Sequence, residues 1–408
     1  MSELIGIYTD VEEESRLVAR CRLITKRKAS TSAFQYDPSW LEYEGRFALD
    51  PENLPLVEAP VFTRTDKSCL PGAIRDTAPD RWGQKLIQRA FRKAGADHHL
   101  TEFDYLLGIN DETRIGALRY RRADEESFDH DIDGYRIPPL IQLPALLDAA
   151  NAVANDSETD SELRMLLNEG SPLGGARPKS VVQDGDDLAI AKFPKPDDIR
   201  SIAHGEVLAL RLAEAAGINA ASARLEEVAG RSVSIIRRFD RDGANRIPFL
   251  SAMSLLGKSD GDQASYTDIA EMIRRHSSAP TDDLHELYRR MVFNVLISNH
   301  DDHLRNHAFL YDKGDQWRLS PAYDLNPVPS TETDGTMATA ISDKGDEASL
   351  DLALEAAPHF KLKREEAKAV IGAVATVVKD WPKLAGKLGM SAADQKAYTS
   401  AFKIADTY

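Results

Sequence analysis

The run MVFNVLISNHDDHLRNHAF, residues 291–309, sets an apolar segment directly against the densest polar cluster of the chain. His300, His303, His307, Asp301, Asp302, Asn299 and Asn306 crowd the end of what reads as a buried helix. Such a cluster suits three tasks: holding a metal, accepting a proton, or capping the helix that precedes it. Residues further out narrow the choice.

After the cluster comes a strand–turn–strand pattern, HAFLYDKGDQWRLSP (307–321), and beyond it the C-terminus returns to helices at 364–381 and 393–405. Upstream, from about residue 250 to LHELYRRMVFNVLI (284–297), the pattern is helical. Before that the texture is strand-rich. KSVVQ (179–183) and LAIAKF (188–193) alternate as two strands joined by the turn DGDD, and SVSIIRRFDR (232–241) reads as another strand. Between them SIAHGEVLALRLAEAAGI (201–218) predicts an amphipathic helix with Leu208, Leu212 and Ala215 on one face and Gly217 as its stop. The first 120 residues mix strand-like runs (RLVARCRLITK, SAFQYDPSWL) with a helix in DTAPDRWGQKLIQRAFRKAG. Asp76 or Thr77 is the expected cap there, Pro79 the first-turn residue, and Trp82, Leu86 and Phe91 much of the apolar side. An acidic connection (122–135) and helices in 137–155 and 160–170 follow. The outline is α+β, bilobed, with a site expected between the lobes. Its expected parts are an N-terminal subdomain at 1–125, a strand-rich lobe at 126–250 and a helical lobe at 251–408.

A chain of 408 residues with a formal charge of −15 is a poor candidate for a free-standing DNA binder, because phosphate neutralisation needs a basic surface. KLIQRAFRKAG (85–95) is locally basic, but it also fits a solvated helix face. No run has the roughly 18–20 apolar residues needed to cross a bilayer, and the start lacks a basic then apolar leader pattern, so a cytoplasmic location is expected. Cys21 and Cys69 are too few for a disulfide framework and are expected to be reduced and partly buried.

The chemistry-bearing positions form a series. Gly174 and Gly175, followed by Ala176, Arg177 and Lys179, let backbone N–H groups approach an anion, although the spacing is neither a Walker loop nor G-x-G-x-x-G, and a plain tight turn reads equally well. Lys192 ends the strand LAIAK, where its ammonium can reach phosphates under that turn or simply stay in solvent. Glu206 on the next helix is placed to pair with such a lysine, as surface glutamates also are. Asp301 and Asn306 carry the D-x-x-x-x-N spacing of a kinase catalytic loop, where the aspartate accepts a hydroxyl proton and the asparagine binds magnesium. Asp324 in LSPAYDLNP stands where a second metal-binding aspartate belongs, with YDL in place of DFG. This all-oxygen set suits magnesium shared with substrate phosphates. A histidine-bound transition metal at His300, His303 and His307 is the rival, without an H-E-x-x-H pattern to support it.

Taken in order, GGARPKS, AKFP, GEVLALRLAEAAGI, RRFDR, NHDDHLRNHAF and AYDLNP, preceded by FQYDPSWLE, FALDPENLPL and IRDTAPDRWGQKLIQR, resemble the HipA family of serine/threonine kinases, the toxins of bacterial toxin–antitoxin pairs. The resemblance spans nearly the whole chain. It implies a bilobed protein-kinase-like fold using ATP and Mg2+, with Asp301 catalytic, Asn306 and Asp324 on the metal, Lys192 on the phosphates, residues 174–179 as the phosphate-facing loop, the Arg237–Phe239 backbone at adenine, and His303 and Tyr323 lining the nucleotide pocket. It also implies a protein-serine substrate, an aminoacyl-tRNA synthetase or other translation component among the options. A HipB-like helix-turn-helix antitoxin would be the partner and the only route to DNA. Arg237 and Arg305 replace a glutamate and a lysine common in the family, and an arginine keeps the charge of a lysine without its compact ammonium. Autophosphorylation in the glycine-rich loop points to Ser171, one place upstream of the family register, with Ser180 a poorer choice. Two other functions share these residues: a weakly catalytic, kinase-shaped corepressor acting through its antitoxin, and a small-molecule phosphotransferase.

Overall fold

The computed structural model describes residues 2–11, 14–26, 29–63, 68–93, 95, 99–123, 125–128, 142–168 and 177–408. The chain is α+β and forms two compact units: residues 1–195, 240–260 and 313–315 in the first, residues 196–239, 261–312 and 316–408 in the second.

Period-two burial builds the first unit. Five antiparallel strands lie in the order Val61–Thr63, Ala29–Tyr36, Glu14–Lys26, Ser2–Val11, Arg119–Arg122. Ile5, Cys21 and Phe34 align across three of them, as do Ile7, Ala19 and Tyr36, and all six are buried. Side chains alternate between faces of a sheet, so this register turns one apolar row after another inward. Both cysteines are free and buried, and burial pushes the Cys21 thiol up to about 12.

The helix Arg81–Lys93 begins later than its sequence suggests. Its N-cap is Asp80, whose carboxylate accepts from the Gly83 N–H at 2.7 Å. Asp76 is occupied elsewhere, accepting from the Ser251 N–H and from the Ser251 and Ser254 hydroxyls. Thr77 donates to the Ile74 carbonyl. Trp82 and Leu86 are buried as expected, and Phe91 is half-buried. Helices Leu143–Ala154 and Asp160–Asn168 follow, while most of the acidic connection at 122–135 lies outside the described residues.

The hairpin Lys179–Asp184 and Asp187–Lys192 brings Lys179 opposite Lys192. Residues directly opposite share a face, where like charges repel. Lys179 resolves this with Asp80, 2.6 Å away, both side chains only 2% exposed. The Lys179 carbonyl also accepts from the Trp82 indole N–H.

In the second unit, Ser201 caps the helix Ile202–Ala215, and Gly217 ends it in the left-handed region at φ 77. Leu208 and Leu212 are buried, as are Val207, Ala209 and Leu210 around them, but Ala215 is exposed because it falls in the last turn, where Glu214 is exposed too. The strands Ala223–Val228 and Arg231–Arg237 pair antiparallel. The helix Pro280–Leu296 is the axis of this unit, with every residue from Arg290 to Leu296 buried. Arg318 grips Asp283 in its first turn, and buried Arg290 donates to the Ser320 carbonyl at 2.7 Å. No helix among the described residues is long and apolar enough to cross a membrane.

Lys179→Met leaves the Asp80 carboxylate buried without its cation, and is expected to cost about 3–5 kcal/mol in urea unfolding. The double change Asp80→Asn with Lys179→Met keeps a capping oxygen and should recover part of that loss. Equal, small effects of both variants would place the pair at the surface.

Candidate active site

The helix Pro280–Leu296 ends with Ser298 at φ 51, a left-handed residue that turns the chain sharply. The Ile297, Ser298 and Asn299 N–H groups then bond back to Phe293, Val295 and Asn294, which satisfies the last helical carbonyls. The chain emerges as an extended His303 and a single 3-10 turn, Leu304–Asn306. Within this loop Asp301 is exposed, and the Asn306 side chain is almost fully buried. The Asn306 amide nitrogen donates to the Asp301 carbonyl at 3.3 Å. That bond fixes the two residues of the D-x-x-x-x-N pattern relative to each other. With its nitrogen committed, the amide oxygen is the end suited to a cation.

Asp324 reaches this loop through its neighbours. Ahead of it the Ser320 N–H donates to Ala308, and beyond it the Val328 N–H donates to Ser298. Between these, the Tyr323 hydroxyl donates to the Arg305 carbonyl. The segment is thus stitched to the 298–308 stretch at three points. Asp324 sits at φ 55, unusual for a residue other than glycine, and Asn326 donates to both its carboxylate and its carbonyl. Backbone held in that region is often found at functional sites.

The ring of Tyr323 also lies 5.3 Å from that of Phe239, tilted by 40°. The Arg237 N–H is bonded to Ser222, and Ala322 bonds to both Asn219 and Ala221. The structure therefore groups Phe239, Tyr323, Arg305, Asn306 and Asp301 in one unit. His303 is half-buried, and its Nδ1 has no hydrogen-bond partner among the described residues. Buried Glu206 accepts from the Ser234 hydroxyl at 3.2 Å. Lys192 is half-buried at its strand end and Arg177 is half-buried, whereas Lys179 is committed to Asp80. Ser171, Gly174, Gly175 and Ala176 lie outside the described residues.

The histidines do not gather around a metal position. Among the described residues no three or more His, Cys, Asp or Glu side chains converge as a metal-binding group. His307 instead meets Asp302, Nε2 to Oδ2, at 2.9 Å, and the Tyr266 hydroxyl donates to the same oxygen. The Asn294 side-chain amide donates to the Tyr266 hydroxyl, and that of Asn299 donates to Asn294 Oδ1. All five side chains are buried. Burial pushes the Asp302 carboxyl up, but His307 and Tyr266 outweigh it and hold it below the ordinary aspartate range. Burial, then the Asp302 charge, pushes the Tyr266 hydroxyl well up, so it stays a donor. Sequence reasoning passed over Asp302 and Tyr266; the one signal was the doubled aspartate directly after an apolar helix.

Comparison with known proteins gives the chain its family. A model described as the HipA-like C-terminal domain matches residues 171–381, and one described as the HipA N-terminal domain matches residues 21–121. The chain belongs to the HipA family. A Haemophilus influenzae protein named "Putative kinase" is 29% identical over 190 residues, 40% of this chain, and that match spans 54%, about half, of the relative's length. A Sinorhizobium fredii protein named "Putative kinase Y4mE" is 26% identical over 326 residues, 74% of this chain and 73% of the relative. HipA in the Shewanella oneidensis complex of HipA, HipB and operator DNA superposes with a TM-score of 0.69 at 15% identity, covering 100% of this chain and 97% of that one. The expected α+β, bilobed, kinase-like fold is therefore the fold of this chain.

The φ of Asp324 yields a direct test. Asp324→Gly frees the backbone, whereas Asp324→Ala keeps a Cβ and loses the Asn326 bond. The alanine variant should be about 1–2 kcal/mol less stable than the glycine variant by thermal or urea unfolding. The reverse order would mean that residue 324 is not left-handed in solution.

Proposed function

We propose that this chain is an ATP- and magnesium-dependent serine/threonine protein kinase, the toxin of a toxin–antitoxin pair. The observation that carries the reading is the bond from Asn306 to the Asp301 carbonyl, with Tyr323 drawing the Asp324 segment onto the same loop. The donor set fits the cation: a carboxylate and an amide oxygen are hard ligands, and magnesium takes oxygen ligands together with substrate phosphates. Asn306 and Asp324 would hold it, and when bound it supplies positive charge against the phosphate oxygens.

Phosphoryl transfer needs positioning and charge more than covalent help. Exposed Asp301 orients a seryl or threonyl hydroxyl and accepts its proton as the oxygen bonds to the γ-phosphorus. The bond from that phosphorus to the bridging oxygen breaks, and ADP leaves with the electron pair. Lys192 takes the phosphate-contact role, and Arg177 with residues 174–176 takes the phosphate-facing role by family analogy. Lys179 belongs to the supporting frame, since its ammonium is held by Asp80. By family analogy Glu206 takes the role of the acidic residue on the helix after the lysine strand. Phe239 and Tyr323 form the aromatic side of the nucleotide pocket, with the Arg237–Phe239 backbone and His303 beside them. Ser171 is the proposed autophosphorylation site.

The proposed partner is a HipB-like antitoxin, a reading supported by the Shewanella complex of HipA, HipB and operator DNA. A small basic helix-turn-helix antitoxin supplies the positive surface that a chain of net charge −15 does not offer to DNA. The target is a cellular protein serine or threonine, in the translation machinery by family analogy.

Asp301→Asn should lower transfer of labelled γ-phosphate from Mg-ATP to lysate protein by about 10²–10⁴-fold while the melting temperature stays within a few degrees. Label transferred undiminished removes Asp301 as the base. Label found on a small molecule in the wild-type reaction makes the chain a metabolite phosphotransferase instead, and tight ATP binding without any transfer makes it a corepressor. In parallel, co-expression with the neighbouring reading frame should yield a stable complex that shifts operator DNA, which the chain alone does not.

A further inference from the structure

Resting on the kinase reading above, we infer that Asp302 and His307 are positioning residues, a buried clamp that sets the separation of Asp301 and Asn306. Each clamp residue is the immediate neighbour of a proposed functional one, Asp302 of Asp301 and His307 of Asn306. Asp301 is exposed, while the Asp302 and His307 side chains are each 2% exposed and meet at 2.9 Å. The clamp therefore spans the same loop as the Asp301–Asn306 pair, one residue further along and on its inner side.

The clamp is anchored to rigid structure. Tyr266 is the first residue of the helix Tyr266–His276, and its hydroxyl ties Asp302 to that helix. Its ring also packs edge-on against His307, with centroids 5.1 Å apart at 75°. Asn294, from the last turns of the axial helix, donates to the same hydroxyl at 2.9 Å. Two helices thus fix the loop's inner face through one carboxylate oxygen. A functional group displaced by about 1 Å can lose roughly 10²-fold in rate, so holding this loop has a kinetic effect beyond stability.

Three variants of the full chain separate positioning from folding. His307→Phe keeps a ring against Tyr266 and removes the donor to Asp302; His307→Gln restores a donor. Asp302→Asn keeps the shape and removes the charge. His307→Phe should lower the kcat of Mg-ATP phosphate transfer by about 10–100-fold, with KM for ATP changed less than about threefold, and His307→Gln should recover most of the loss. Amide hydrogen exchange in 301–307 should rise at least about tenfold in His307→Phe and Asp302→Asn, with 284–296 unchanged. Unchanged exchange in the loop overturns the clamp. So does a His307→Phe variant whose kcat equals wild type, or a loss that falls equally on folding and is not rescued by glutamine. If the wild-type protein transfers no phosphate, the kinase reading fails on its own, and the exchange measurements still decide whether the clamp holds the loop. Should His307→Phe not fold, Asp302→Asn and His307→Gln carry the same comparison.

Discussion

A helix buried on every side through its last seven residues, Arg290 to Leu296, has to return its chain to the surface without stranding its last carbonyls. For Pro280–Leu296 the solution is Ser298 in the left-handed region and three backbone bonds folded back onto Phe293, Asn294 and Val295. The cost of leaving such groups unpaired in an apolar surrounding, about 1–3 kcal/mol each, explains why the turn is so tightly specified. The polar cluster that follows begins as the answer to this backbone problem. Its outer side is then available for chemistry. Of the opening alternatives, capping is thus what the backbone bonds show, and proton transfer is the role proposed for the exposed side of the same loop.

The inner side is a hydrogen-bonded network, in which His307 Nδ1 and Asn299 Oδ1 are left without a partner among the described residues. Asp302, His307, Tyr266, Asn294 and Asn299 form a continuous chain of hydrogen bonds in which one carboxylate oxygen receives two donors. Buried polar groups of this kind are costly when partly satisfied and specific when complete. Leucine at these positions would fill the volume and leave the loop free to slide. Hydrogen bonds of fixed direction do not allow that.

Much of this architecture is legible from the chain. The hairpin at 179–192, the helix at 202–215 with its glycine stop, and the strand pair following residue 307 all declare themselves through local periodicity and turn residues. The Asp301-to-Asn306 spacing is legible as a motif, and the structure adds the bond from the Asn306 amide to the Asp301 carbonyl. Where the reading slipped, distant residues decided. Asp76, Thr77 and Asp80 are all competent caps, and only the serines at 251 and 254 determine that Asp76 is taken, leaving Asp80 for the helix. Ala215 has the right spacing for the buried face of its helix but falls in its last exposed turn. Asp302 and His307 differ from Asp301 and His303 in nothing that composition records. An irregular loop has no period, so its inside cannot be told from its outside.

Lys179 and Lys192 present the same ambiguity in the other unit. They face one another across a two-stranded ladder, identical in type and both at strand ends. Two ammonium groups so placed repel, and burying either one alone would be expensive. Asp80 neutralises Lys179 inside the unit, which removes the repulsion and lets the other lysine keep part of its surface exposed. The arrangement matches that of the catalytic loop, where Asp302 is tied down beside exposed Asp301. In each case a charged residue committed to the frame fixes the backbone next to a like residue that is proposed to act. A carboxylate or ammonium can be aimed only as well as the chain beneath it is held. The neighbour that does the holding therefore has to be as polar as the group it supports, since hydrogen bonds and ion pairs fix direction where apolar packing fixes only volume.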